Sequence, residues 1–147
     1  MRPALGYNGR ETAMSDIDYI LENSRTIAMV GASSNPDRDS NRVFQYLMGA
    51  GYTVIPVNPK EKAVHGQTAY PDLKSVPVKV DVVDIFRKPE EVPGIVEEAI
   101  SIGAGAIWMQ LGIKHAEAAK RARAAGLRVV MDRCMYREHA KRHGEND

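Results

Sequence analysis

The chain has 147 residues, 44% hydrophobic and 27% charged, with 20 Lys or Arg against 19 Asp or Glu and a single cysteine. One domain of that size buries roughly 70% of its unfolded-state surface, so its core needs neither a structural metal nor the internal disulfide that one cysteine cannot form. A net charge of +1 argues against a nucleic-acid backbone or an anionic membrane as the main partner, since both are met by a strong basic excess. No apolar stretch approaches the ~18 residues of a membrane span, and the first residues lack the apolar middle of a secretory signal. A soluble, cytoplasmic protein is the expectation.

Residues 1–14, with Pro3, Gly6 and Gly9, carry no periodic apolar pattern and are expected to be a flexible extension ahead of a domain spanning 15–142, with 143–147 as a tail. Ser15 with Asp18 three residues on predicts a helix cap, and Ile17, Ile20 and Leu21 the apolar face of a short helix. Ile27–Val30 is an apolar run ending at Gly31. Val43, Phe44, Leu47 and Met48 follow at helical spacing, closed by Gly49 and Gly51. Thr53–Val57 is a second strand, in which Pro56 implies fewer ladder bonds, and a long loop runs from Asn58 to about Val80. Asp81–Phe86 is the third main strand. Val92, Ile95, Val96, Ala99 and Ile100 share one face of a helix that Glu90 and Glu91 open favourably, that admits Pro93 in its first turn and that Gly103 stops. Ala106–Met109 is a buried strand, Ala118 to Ala125 a helix ended by Gly126, Leu127–Met131 the last strand, and Met135–His143 a basic terminal helix.

Continuously apolar strands alternating with helices predict parallel pairing with helices on both faces. The expected class is therefore α/β: a Rossmann-like three-layer sandwich with a mainly parallel five-stranded sheet in a single domain. Right-handed crossovers make 3-2-1-4-5 the expected strand order.

In such sheets ligands bind outside the carboxyl ends of the strands. Those ends carry Gly31-Ala32-Ser33-Ser34, Val57-Asn58-Pro59-Lys60, Phe86-Arg87, Gln110 and Arg133-Cys134. Gly31 permits a sharp turn, and Ser33 and Ser34 add hydroxyls and amides near a helix start, which suits a phosphate; an ordinary strand-to-helix turn is the alternative. The fingerprint G-x-G-x-x-G is absent, and Asn58 stands where an acid would hold the ribose of NAD; no G-x-x-x-x-G-K-[ST] occurs either. Arg38, Arg42, Lys60, Arg87 and Arg133 suit phosphate oxygens or are solvated surface charge. Gln110 presents an amide to ligand polar atoms or caps its loop. Cys134 beside Arg133 and ahead of a helix has features that favour thiolate, although structural packing is the plainer role. His139 and His143, at i and i+4, read as solvated helix-face histidines, because no third metal ligand completes their pattern. No nucleophile, histidine and acid set is visible, and Glu90-Glu91 and Glu97-Glu98 suit helix surfaces.

Ile27-Ala28-Met29-Val30-Gly31-Ala32-Ser33, Gly51 to Pro59, Asp81 to Arg87, Trp108-Met109-Gln110 and Met131 to Cys134 together resemble the small stand-alone CoA-binding domain proteins. That family is similar in fold to the CoA-binding domain of the succinyl-CoA synthetase α subunit and of NDP-forming acyl-CoA synthetases. The resemblance implies coenzyme A or acyl-CoA as ligand, with the Gly31–Ser34 turn at the phosphates, residues 57–60 and Phe86-Arg87 lining the site, and Gln110 and Cys134 near the pantetheine end. It implies no catalysis, since the synthetases keep their phosphohistidine machinery in other domains. The alternatives are an enzyme acting on a CoA thioester or CoA disulfide through Cys134 or a partner subunit, and a binder of NAD or ATP. A homo-oligomer or an acyl-CoA-metabolising partner is compatible with all of them. Residues 114–142 hold nine Lys or Arg and three Asp or Glu, an excess of which some is expected near the ligand edge, where it would attract an anion.

Overall fold

The protein is described from a computed structural model covering residues 14–144. The expected extension, apart from Met14, and residues 145–147 of the expected tail lie outside the described residues. Five parallel strands form the sheet: β1 (Thr26–Val30), β2 (Thr53–Val57), β5 (Val82–Ile85), β6 (Ala106–Met109) and β7 (Arg128–Val130). Five helices accompany them: α1 (Asp16–Asn23), α2 (Asp39–Gly49), α3 (Val92–Ser101), α4 (Ala116–Ala124) and α5 (Met135–Arg142). The expected elements are all present, with ends shifted by a residue or a few.

The strand order corrects the expectation. The sheet runs β2-β1-β5-β6-β7, so the third main strand pairs with the far side of β1 rather than with β2. The reason lies at the outer side of β2. There the chain folds back and bridges Tyr70 to Val57. Tyr70 N donates to Pro56 O at 3.0 Å, and Asn58 N donates to Tyr70 O at 2.8 Å. Pro56 has no N–H to offer another strand on that side. With that position taken, β5 fits only beside β1.

The stretch from 58 to 81 is also more structured than a loop. Ala63–Val64 (β3) and Gln67–Thr68 (β4) form a small antiparallel hairpin. Its two-residue turn, His65-Gly66, has both φ angles positive, as a primed hairpin turn requires. A 3-10 turn at Leu73–Ser75 follows, in which Asp72 Oδ1 accepts from Ser75 N at 2.9 Å. Its Leu73 is buried in the core.

Alternation across the strands divides the core. Ala28, Val30, Val83, Ile85 and Ile107 face α3 and α4, which contribute Val96 and Ala119. Ile27, Met29, Val82, Trp108 and Val130 face α1, α2 and α5, which contribute Ile20, Phe44, Leu47 and Met135. The buried Trp108 indole N–H is satisfied by Arg133 O at 2.9 Å. Helix α1 opens on Ser15, whose hydroxyl accepts from Asp18 N. It is fastened to the far end of the chain: Arg128 reaches Asp16 at 2.9 Å, and Arg142 pairs with Asp18. The hydrogen bonds from Arg142 and Ser15 hold the Asp18 carboxyl below its ordinary range.

His139 departs from the sequence reading. It is only 7% exposed, its Nδ1 lies 2.8 Å from the Tyr46 hydroxyl, and His143 stacks on it at 4.0 Å. The terminal helix packs this face against α2, so His139 belongs to the α2–α5 contact and not to a solvated surface.

Candidate functional site

The strand order moves the reversal point to β1 and β5, where a doubly wound sheet opens a crevice beyond its strand ends. The two strands come so close there that a side chain on Gly31 has no room. Gly31 has φ +92°, and a Cβ on it would lie 2.2 Å from Phe86 O. Its N–H donates to Val57 O at 2.9 Å, and Phe86 N donates to Val30 O at 2.8 Å, so the ends of β2, β1 and β5 are locked side by side.

A cleft in two lobes lies over these ends. The smaller, of about 510 Å³, is walled by Gly31, Ser33, Arg38, Asn58, Lys60 and Arg87 among others. The larger, of about 830 Å³, takes in Arg42, Gln110, Arg133 and Cys134. Phe86 and Asp39 belong to both, so the lobes meet across the end of β5. Volumes of this order suit a small-molecule ligand. Of the residues expected at the site, the structure brings these eleven together. Ala32 and Val57 are instead core residues at 0% and 2% exposure, and neither Ser34 nor Pro59 is on the cleft wall.

The turn after β1 is braced from three directions. Asn58 Nδ2 donates to Ala32 O at 2.9 Å, and Asn58 Oδ1 accepts from Lys60 N at 3.0 Å, so its side chain braces the turn. Asn41 Nδ2 donates to Ser33 O at 2.9 Å, tying the turn to the first turn of α2, which begins only at Asp39. Ser33 Oγ accepts from Asn35 N at 3.0 Å. Ser34 N donates to the Glu61 carboxylate at 2.9 Å. One of the amides expected to meet a phosphate therefore already holds an anionic oxygen.

The cations divide into engaged and unengaged. Arg42 pairs with Asp39, Arg87 lies 3.7 Å from Glu91, and Lys141 lies 3.6 Å from Glu138. Among the described residues, Arg38, Lys60, Arg133 and Arg137 have no carboxylate within ion-pair distance, and each lines one lobe. The basic excess of residues 114–142 is thus only partly at the cleft, since Arg121, Arg128 and Arg142 are bound to Glu97, Asp16 and Asp18.

Sequence reasoning missed one buried group. Asp84, in the middle of β5, is fully buried. Gln110 Nε2 donates to its Oδ1 at 2.5 Å, while Oδ2 is the one buried side-chain polar atom without a partner among the described residues. Burial pushes its carboxyl up to about 7 against the smaller opposing effect of the Gln110 bond. A charged residue inside Val82-Val83-Asp84-Ile85 was the available signal. Nearby, Asp132 adopts φ +59° and accepts from Gly112 N at 2.7 Å, joining the loops after β6 and β7. Cys134, the sole thiol, is half-buried at the start of α5.

A Rossmann-like α/β domain with a polar cleft at its switch point is the class that fold and geometry define. The sequence matches the family described as CoA binding domain over residues 25–140, and the chain belongs to that family. It is 38% identical to the protein YneT of Bacillus subtilis (strain 168) over 126 residues, 86% of this chain and 93% of the relative. A solved hypothetical protein from Pyrococcus horikoshii OT3 superposes with a TM-score of 0.83 at 43% identity, covering 96% of this chain and 98% of that one. An acetate–CoA ligase (ADP-forming) of Archaeoglobus fulgidus is 29% identical over 123 residues, 76% of this chain but only 18% of the ligase. Among the described residues no helix is long and apolar enough to cross a membrane.

Proposed function

We propose that the protein binds coenzyme A or acyl-CoA along the two-lobed cleft, without itself catalysing a reaction. The observation that carries this reading is that the two lobes adjoin, with Phe86 and Asp39 lining both, together with membership of the CoA binding domain family. The smaller lobe supplies the phosphate chemistry: Gly31 and Ser33 on its wall, with Arg38 and Lys60 as cations free to pair. The pantetheine arm extends past Phe86 toward Gln110 and Cys134 in the larger lobe. Thermal unfolding tests the assignment, since a ligand that binds only the native state raises the midpoint. Millimolar CoA or acetyl-CoA is expected to raise it; if neither does while NAD or ATP does, the assignment falls.

Glu61 gives a more pointed expectation. Its carboxylate occupies Ser34 N–H and adds negative charge where phosphate is proposed to sit. The Glu61→Gln variant is expected to bind CoA about three- to tenfold more tightly, an effect of about 1 kcal/mol. Titration calorimetry decides it: weaker binding would mean that Glu61 organises the turn for its ligand and does not compete with it.

A further inference from the structure

Asp84 Oδ1 lies within hydrogen-bond distance of the Gln110 side-chain amide. The carboxyl is also wholly buried with its second oxygen unpartnered, an environment that opposes a charge. Its register neighbours are Met29 on β1 and Trp108 on β6, neither of them charged.

Most charged groups on the helices packed against this face are engaged elsewhere, and Arg137 of α5, which has no carboxylate partner among the described residues, lines the larger lobe. On α1, Asp16 and Asp18 hold Arg128 and Arg142. On α2, Asp39 holds Arg42, and Tyr46 bonds His139 of α5. Glu138 of α5 holds Arg142 and Lys141. Among the described residues, none supplies a cation to Asp84. A neutral acid suits a carboxyl that is wholly buried with one oxygen unpartnered. Turning the Gln110 amide over exchanges its oxygen and nitrogen, which are told apart only by their partners.

We propose that Asp84 is the protonated acid of this site and donates its proton to Gln110 Oε1, so that Gln110 turns its NH2 into the larger lobe to receive a carbonyl oxygen of the ligand. The polarity of the cleft floor is then fixed from beneath: a donor is presented, suited to a thioester or amide carbonyl, and Asp84 is a positioning residue that touches no ligand. The direction of its pKa, raised by burial, is consistent with this. The proposal rests on the coenzyme reading for the ligand alone.

Carboxyl-carbon NMR of aspartate-labelled protein, with no ligand added, tests the acid directly. One resonance should stay neutral to about pH 7 and vanish in Asp84→Asn; if every aspartate ionises near pH 4, its ordinary range, the proposal is overturned. Acetyl-CoA titrations read the consequence. Relative to Asp84→Asn, whose amide can donate to Gln110 Oε1 at any pH, wild-type affinity should fall about tenfold between pH 6 and pH 8, as the neutral form is depleted. An equal pH profile in the two proteins overturns it. If neither protein binds CoA or acetyl-CoA yet the carboxyl is neutral, the coenzyme reading fails while the acid and its donation to Gln110 stand.

Discussion

Replacing Gly31 by alanine is expected to cost about 3–5 kcal/mol of stability and to abolish ligand binding. The positive φ of +92° alone costs an L residue about 1–2 kcal/mol. The larger part is steric, because the new Cβ would stand 2.2 Å from Phe86 O and 3.0 Å from its carbonyl carbon. These are backbone atoms of the neighbouring strand, so no rotamer change relieves the contact. Relief requires β1 and β5 to separate at their carboxyl ends, which stretches the bond from Phe86 N to Val30 O and opens the waist between the two lobes. For a chain of this size the midpoint should drop by about 10 °C or more. Thermal unfolding of Gly31→Ala beside Gly51→Ala controls for backbone conformation, since Gly51 also has positive φ but nothing within 4 Å of its would-be Cβ. Equal losses in the two variants would show that the approach to Phe86 is irrelevant.

Asp84→Asn is expected to act in the opposite direction, and in a pH-dependent way. The carboxyl pKa rises from 3.8 unfolded to about 7 folded, so the native state holds the proton more tightly. The stability linked to that proton is fully present below pH 3.8. It is lost as pH rises through 7, and the interval corresponds to about 4 kcal/mol. Asparagine carries no such dependence. In urea unfolding, the advantage of Asp84→Asn over wild type should therefore grow by about 2–3 kcal/mol between pH 5 and pH 8. A constant difference between the two proteins across that range would show that Asp84 does not titrate within it. A side chain that weakens the fold at neutral pH, placed under a cleft, is the kind of cost that functional sites carry.

What the sequence made legible follows from local chemistry. The cap at Ser15, the apolar periods of α2 and α3, and the unbroken strands Thr53–Val57 and Ala106–Met109 are each set by neighbours in the chain. The converging polar strand ends were legible for the same reason, because parallel strands put all their carboxyl ends on one side. The order of the strands was not. It depends on which side of β1 receives β5, and that is settled by Tyr70 folding back on β2, a contact between segments with no shared pattern. Pro56 was the hint, since a strand unable to donate outward belongs at an edge. The lack of a third metal ligand left His139 and His143 as solvated histidines, but the buried stripe of Met135, Glu138, His139 and Ala140 packs inward at i, i+3, i+4 and i+5. Asp84 lies one residue short of a strand end, inside an apolar run, so the polar strand-end pattern does not include it. Glu61 carries no local signal, and only three-dimensional closure sets its carboxylate on Ser34 N and makes Asn58 a brace of the turn after β1.

The two ion pairs that fasten α1 span almost the whole chain, from Asp16 to Arg128 and from Asp18 to Arg142. They impose an order of events on synthesis. Helix α1 leaves the ribosome before the strands and helices that follow it, yet its eight residues are too few to persist alone in water. Its charged partners are the first side chain of β7 and the last of α5, both made late. The first helix of the described chain is therefore the last to find its place, and a nascent chain halted before residue 128 would carry Ile20 and Leu21 with neither ion pair to hold them to the sheet.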